Sequence, residues 1–171
     1  MTEKQKGVLR GMLVGLLITV LVLAIGLWAS PDRLMGIPSG AGLGHLRWVM
    51  LLVACQFVAI ARLARHRFFT PDDIDGSGLT RGSDTALLLQ AFLQNTLEQV
   101  TLALPIYTLW VLTLPSSWQA VVPLNSVLFV LGRWLFAMGY ARGAPARALG
   151  FALTFYPTVA MGILMIGYWL T

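Results

Sequence analysis

The stretch GMLVGLLITVLVLAIGLWAS, residues 11–30, decides the fold class because it contains no charged side chain along its whole length. An α-helix needs about 20 consecutive apolar residues to cross the hydrocarbon core of a bilayer. Further along the chain lie four more long apolar runs that contain at most two charged side chains each. They are residues 46–64, 85–114, 119–141 and 148–171. The sequence therefore predicts an all-α integral membrane protein with five spanning helices.

The composition supports a lipid environment. Hydrophobic residues make up 57% of the chain and charged residues 11%, whereas a soluble domain has about 25% charged residues. The formal net charge of +5 comes from basic residues scattered at the ends of the apolar runs. No basic stripe with interleaved aromatics is present, so a nucleic-acid partner is not expected. Cys55 is the only cysteine, and no group of His, Cys and acidic residues has the spacing of metal ligands.

The first apolar run follows Lys4, Lys6 and Arg10, an arrangement that also occurs in signal peptides. The run is longer than the apolar segment of a typical signal peptide, and residues 29–31 form a poor cleavage site. We therefore expect an uncleaved helix. Residues 1–45 would form an additional N-terminal spanning helix and outer loop, and residues 46–171 a four-helix transmembrane domain. Cleavage would leave four spans without changing the orientation of the others.

The distribution of Lys and Arg predicts the orientation, because cytoplasmic loops carry an excess of both. With the N-terminus inside, the outer side holds only Arg33 and Arg47. The inner side holds Lys4, Lys6, Arg10, Arg62, Arg65, Arg67, Arg81, Arg142 and Arg147. We expect a bacterial inner membrane, with the N-terminus in the cytoplasm and the C-terminus outside.

Glu98 and Arg133 are charged residues near the middle of two predicted spans. Such a residue costs about 2.5–3.5 kcal/mol at the centre of a spanning helix and is rarely left facing lipid. A short loop joins the two helices, so we expect Glu98 and Arg133 to approach one another inside the bundle. An intramembrane pair of this kind can mark a functional site or can simply hold two helices together.

The neighbours of these charges extend a polar face. Asn95 lies one helical turn from Glu98, and Tyr140 lies two turns after Arg133. The resulting polar seam, which opens toward the cytoplasm, comprises Gln94, Asn95, Glu98, Arg133, Tyr140 and Arg147.

Three stretches carry a family likeness. They are ARLAR with FFTPDD (residues 61–65 and 68–73), FLQNTLE (92–98), and GR with GYARGAPAR (132–133 and 139–147). These stretches occur in the same order in the MAPEG family, the membrane-associated proteins in eicosanoid and glutathione metabolism, which residues 46–171 resemble. The helix at residues 11–30 would be an addition to the family core.

The resemblance implies a four-helix subunit in a homotrimer, with glutathione bound between subunits near the cytoplasmic side. Glutathione would be a thiol co-substrate, conjugated to a lipophilic electrophile or used to reduce a hydroperoxide arriving from the bilayer. By the same resemblance the glutathione contacts would be Gln94, Asn95, Glu98, Arg133, Tyr140 and Arg147. The chain departs from well-studied catalytic members: Gln94 stands where an Arg often precedes the Asn, Phe136 where a His can occur, and Phe151 where a Tyr can follow the second Arg.

The implied chemistry assigns roles to several of these residues. A thiol has an ordinary pKa near 8.5, and a guanidinium such as that of Arg133 would favour the thiolate. Tyr140 could donate a hydrogen bond to sulfur or substrate oxygen, and Arg147 could hold a glutathione carboxylate. Asn95 and Glu98 would then position its amino and amide groups.

Two other functions remain open from the sequence. A non-catalytic membrane protein could keep the same fold and use the polar seam only to hold its helices together. A small transporter could use Glu98 and Arg133 as a gated pair, but the paired repeats or broken spans typical of transporters are not visible in the sequence.

Overall fold

The computed structural model of the protein describes residues 1–29, 42–76, 79 and 81–171. Within them lie five long α-helices: α1 (Glu3–Trp28), α2 (Leu46–Phe69), α3 (Asp84–Thr113), α4 (Val121–Gly139) and α5 (Ala144–Trp169). Short 3-10 turns occupy Gly42–His45, Pro71–Asp73, Ser116–Trp118 and Tyr140–Arg142. These described residues form no strand. The predicted all-α architecture is confirmed.

Four of the five helices, with their flanking turns, are long and apolar enough to cross a membrane: α1, α2, α4 and α5. The fifth, α3, is 30 residues long but does not reach the same hydropathy, because its first half is rich in polar side chains. Those side chains are Gln90, Gln94, Asn95, Glu98 and Gln99. Four or five apolar helices in a chain of this size make it an integral membrane protein.

Successive helices run in opposite directions, and the contacts of α1 show which helix ends lie together. Gly7 near the start of α1 packs on Pro145 at the start of α5, while Gly26 near the end of α1 packs on Val121 at the start of α4. All nine basic residues predicted for the inner side lie at, or within about two turns of, the Pro145 end. Arg47 lies at the opposite end, and Arg33 falls outside the described residues.

The parallel helices α1 and α5 pack through small residues. A Cβ atom added at Gly7 would lie 2.9 Å from Cβ of Pro145, and one added at Gly11 would lie 2.9 Å from Cβ of Ala148. One turn further along, Gly15 stands against Ala152 in the same way. Glycine at every fourth position allows two helix backbones to approach closely within a membrane. This stripe fixes α1 on one face of α5.

The connector between α2 and α3 is anchored by Asp73, whose side chain is 1% exposed. Its carboxylate accepts hydrogen bonds from the Ser83 amide at 2.7 Å and the Ser83 hydroxyl at 2.6 Å. Nε2 of His66, in the last turn of α2, lies 2.8 Å from the same carboxylate. The Ser83 hydroxyl also accepts from the Ala86 amide and so caps the start of α3. Mainly through the Ser83 hydrogen bonds, these contacts hold the pKa of Asp73 below its ordinary value.

Candidate functional site

Arg133 is buried in the bundle, with 3% of its surface exposed. Its Nη2 donates to Oδ1 of Asn95 at 3.1 Å and to the Thr96 hydroxyl at 3.2 Å. Both acceptors lie on α3, so the guanidinium joins α4 to α3. Its Nε and Nη1 have no hydrogen-bond partner among the described residues. Since a buried cation costs less when it is hydrogen-bonded, the two neutral acceptors on α3 explain part of its stability there.

The expected approach of Glu98 to Arg133 is wrong. Glu98 is exposed on the surface of the single chain, and its carboxylate accepts a hydrogen bond from Nε2 of Gln94 at 3.1 Å. Within the described part of the chain, Arg133 forms no salt bridge. The reason is the rotation of α3: Asn95 and Thr96 face Arg133, whereas Gln94 and Glu98 project outward from the same helix.

Aromatic rings surround the Arg133 guanidinium and continue toward the predicted cytoplasmic end. The guanidinium carbon lies 4.2 Å from the centre of the Phe136 ring and 5.6 Å from that of Phe92. Phe136 in turn contacts the Tyr140 ring edge-to-face, with 5.2 Å between ring centres. The Arg147 guanidinium lies 4.6 Å above the Tyr140 ring. Cation–π contacts of this kind hold Arg133 and Arg147 on either side of the aromatic group.

A cavity of about 380 Å³ opens beside Tyr140 and is called here the Tyr140 cavity. Its lining residues come from four helices and the turn before α5: Val8, Met12, Asn95, Phe136, Tyr140, Ala144, Arg147, Ala148 and Phe151. Its volume is in the range of about 300–1,000 Å³ that is usual for small-molecule sites. The polar groups at its wall are an amide, a phenol and a guanidinium, a set suited to an anionic, peptide-like ligand.

A second cavity of about 300 Å³ lies on another side of Arg133. Its lining includes Cys55 and Arg62, together with apolar side chains such as Trp134. Arg133 therefore borders this second cavity and reaches the Tyr140 cavity only through its neighbours, Asn95 and Phe136.

Of the six seam residues, the structure brings three to the wall of one cavity: Asn95, Tyr140 and Arg147. Arg133 stands behind them, bonded to Asn95. Gln94 and Glu98 lie on the outer surface of α3. Sequence reasoning missed Thr96, the second acceptor for Arg133, although it is adjacent to Asn95. It also missed Val8 and Met12, whose position was signalled by their place next to Gly7 and Gly11 on α1.

Comparison with known proteins places the chain in a sequence family. The model of the MAPEG family matches residues 46–167. The match covers α2 to α5 almost entirely, and α1 lies before it. Neither a curated protein nor a solved structure matches the chain.

Proposed function

The chain belongs to the MAPEG family, and we propose that it binds glutathione or a related thiol in the Tyr140 cavity. The observation that carries this proposal is the convergence of Asn95, Tyr140 and Arg147 on one cavity wall. Asn95 on α3 is distant in sequence from Tyr140 and Arg147, which lie in the turn after α4 and in the first turn of α5. A ligand site requires several polar groups that face one cavity, and polar residues without a common role are not expected to meet in this way.

The chemistry of the wall suits glutathione. The Arg147 guanidinium can form a bidentate pair with a carboxylate of the tripeptide. Asn95 can bond to its amide or amino groups, although its Oδ1 already accepts from Arg133. The Tyr140 hydroxyl makes no hydrogen bond to another described residue, so it can donate to sulfur. A hydrogen bond and a nearby cation both favour the thiolate.

The roles of the seam residues change accordingly. Tyr140 is the proposed catalytic residue, because it lines the cavity and carries a hydroxyl that can donate a hydrogen bond. Arg133 is proposed as a positioning residue that orients Asn95 through their 3.1 Å bond. In a transferase reaction the thiolate sulfur would form a bond to an electrophilic carbon atom of a lipophilic molecule, from which a leaving group such as halide departs with its electron pair. Reduction of a hydroperoxide is the alternative reaction, in which two thiols are oxidised to a disulfide while the O–O bond breaks to give an alcohol and water.

The outward-facing pair of Gln94 and Glu98 supports a homo-oligomer, by resemblance a trimer. A carboxylate on the exterior of a membrane-embedded helix is costly when it faces lipid. Covering by a second copy of the chain would remove this cost and would add both residues to a site between subunits. The basic end of the bundle would face the cytoplasm by the positive-inside rule, consistent with a bacterial inner membrane.

The test is ligand-dependent stability of the purified protein in detergent, measured with and without millimolar glutathione. A ligand that binds only the folded state raises the apparent stability. We expect glutathione to stabilise the wild type and the control variant Arg142→Gln, whose side chain is exposed. It should not stabilise Arg147→Gln, which stays folded. Absence of stabilisation of the wild type at saturating glutathione would rule the proposal out.

A structural role for the seam is the second candidate, favoured by the burial and hydrogen bonding of Arg133. The variant Arg133→Ala separates the two functions. A purely structural role of the seam predicts that the oligomer dissociates in this variant. The ligand-site proposal predicts an assembled but less stable protein that binds glutathione more weakly.

A further inference from the structure

We propose that α1, which lies outside the family match, forms the apolar wall of the substrate site. Specifically, Val8 and Met12 would contact the hydrocarbon part of the lipophilic substrate that joins the thiol. This inference rests on the proposed function, because it concerns the second substrate of the same cavity. The two residues line the same Tyr140 cavity as Asn95 and Arg147.

The position of Val8 and Met12 follows from the small-residue contact between α1 and α5. Val8 follows Gly7 and Met12 follows Gly11, and the two glycines stand directly against Pro145 and Ala148. A step of one residue rotates a helix by about 100°. Both side chains therefore project from the same side of α1, next to its contact with α5. The close approach allowed by the glycines brings them to the cavity.

The lining of the cavity divides into two chemical parts. Asn95, Tyr140 and Arg147 supply the polar groups, whereas Val8, Met12 and Phe151 supply apolar surface. The first set suits a charged tripeptide and the second an alkyl or aryl group. Methionine is flexible and polarisable, so Met12 can adapt to hydrocarbon groups of different shape. A conjugate of a thiol with a lipophilic molecule contains both parts.

The exposure of Met12 gives this wall a route to the bilayer. Met12 is 39% exposed although it borders the cavity, so its side chain contacts both the cavity and the surroundings of the bundle. A lipophilic molecule entering from the bilayer would meet Met12 before it reached Tyr140. If α1 were only an anchor, its packing glycines would matter and the identity of Val8 and Met12 would not.

The experiment compares glutathione with S-hexylglutathione, which adds a hydrocarbon chain at sulfur. Affinities for the full-length protein in detergent would be measured by calorimetry. Because each buried methylene contributes to affinity, we expect the hexyl compound to bind at least about tenfold more tightly than glutathione. In Met12→Trp the indole fills the apolar part of the Tyr140 cavity. The difference in affinity between the two compounds should then fall below about twofold, whereas the affinity for glutathione itself should be unchanged.

The matched control is Leu13→Trp, the same substitution one position later, at a side chain that is 56% exposed and turned away from α5. This variant should keep the full increase in affinity that the hexyl chain gives over glutathione. If Met12→Trp fails to fold, Met12→Ala serves instead. Because this variant loses contact area, its gain in affinity from the hexyl chain should be about threefold smaller than that of the wild type. If the Met12 substitution leaves the gain in affinity from the hexyl chain unchanged, the role proposed for α1 is overturned and the proposed function is not. Failure of the wild type to bind either compound overturns the proposed function as well.

Discussion

Nη2 of Arg133 lies 3.1 Å from Oδ1 of Asn95, and this bond links α4 to α3 directly behind the wall of the Tyr140 cavity. A cation on one helix thus donates a hydrogen bond to a neutral amide on another, and no carboxylate of the described residues pairs with it. The arrangement lets one side chain serve two purposes. Asn95 faces the cavity while its orientation is set by the buried guanidinium.

Replacing Thr96 by Val tests how Arg133 is held. The variant removes the 3.2 Å hydrogen bond from Nη2 and the bond that the Thr96 hydroxyl donates to the Phe92 carbonyl, but it leaves the bond from Arg133 to Asn95. Because hydrogen bonds to charged groups contribute more than neutral ones, we expect a loss of about 1.5–3 kcal/mol in the free energy of unfolding in detergent. The control Thr113→Val removes an exposed hydroxyl that bonds only to the Leu109 carbonyl. Equal losses in the two variants would contradict the role given to Thr96.

Removal of the Tyr140 hydroxyl should affect rate more than binding. In Tyr140→Phe the ring contacts with Phe136 and Arg147 can remain, so the unfolding temperature should be unchanged. Loss of a hydrogen-bond donor to a developing charge typically lowers a rate by about 10²-fold. We expect that decrease in the turnover of glutathione with a chlorodinitrobenzene, at nearly constant KM. Tyr156→Phe, which alters a phenol that does not line the cavity, should react normally.

The outward-facing Glu98 leads to a prediction about assembly. If a second copy of the chain covers this surface, Glu98→Trp should prevent close contact between subunits. We expect the wild type to have the mass of a trimer by light scattering, and the variant to have a smaller mass. Leu17→Trp, at a position of α1 that is 61% exposed, should remain a trimer. A wild-type protein that is monomeric in several mild detergents would show that Glu98 is not covered in this way.

Acidification should loosen the connector between α2 and α3. The pKa of Asp73 is lowered in the folded state by the side-chain and backbone hydrogen bonds from Ser83. Its contribution to stability is therefore complete well above the ordinary value of 3.8 and is lost as the pH falls through the lower pKa of the folded protein. In Asp73→Asn this part of the pH dependence should disappear.

The measurement is thermal unfolding in detergent across the acid range, comparing Asp73→Asn with Asp72→Asn. Asp72 precedes Asp73 in sequence and is exposed, so its variant should follow the wild-type curve. Parallel curves for all three proteins would show that the Asp73 contacts do not contribute to stability.

The sequence predicted the helices well, because lipid imposes a simple rule on composition and length. Predicted residues 85–114 and 119–141 differ by only a few positions from α3 and α4. The largest difference is at the start of α1, which begins at Glu3 rather than at residue 11. The end of α2 also differs, because this helix continues to Phe69, past the predicted end at residue 64. Long basic side chains near a helix end can extend to the interface, so Arg65 and Arg67 did not have to terminate the helix.

The partner of Arg133 could not be predicted in the same way. Charge alone favoured Glu98, since it is the only acidic residue in the neighbouring spans. The choice between Glu98 and Asn95 depends on the rotation of α3 about its axis, which is set by its packing on α2 and α5 as well as α4. Such rotation is a property of the whole bundle. The same limit applied to Val8 and Met12: the glycines beside them indicate a closely packed face of α1, but the sequence does not say that α5 is its partner.

The pairing of α1 with α5 also has a consequence for biosynthesis. Of the five helices described, α1 leaves the ribosome before the others and α5 after them, yet Gly7, Gly11 and Gly15 pack against α5. During most of translation this flat surface of α1 therefore faces lipid or the insertion machinery. A chain interrupted before Ala144 would leave it without its partner, so release of a truncated product should expose a surface that quality-control proteases can recognise.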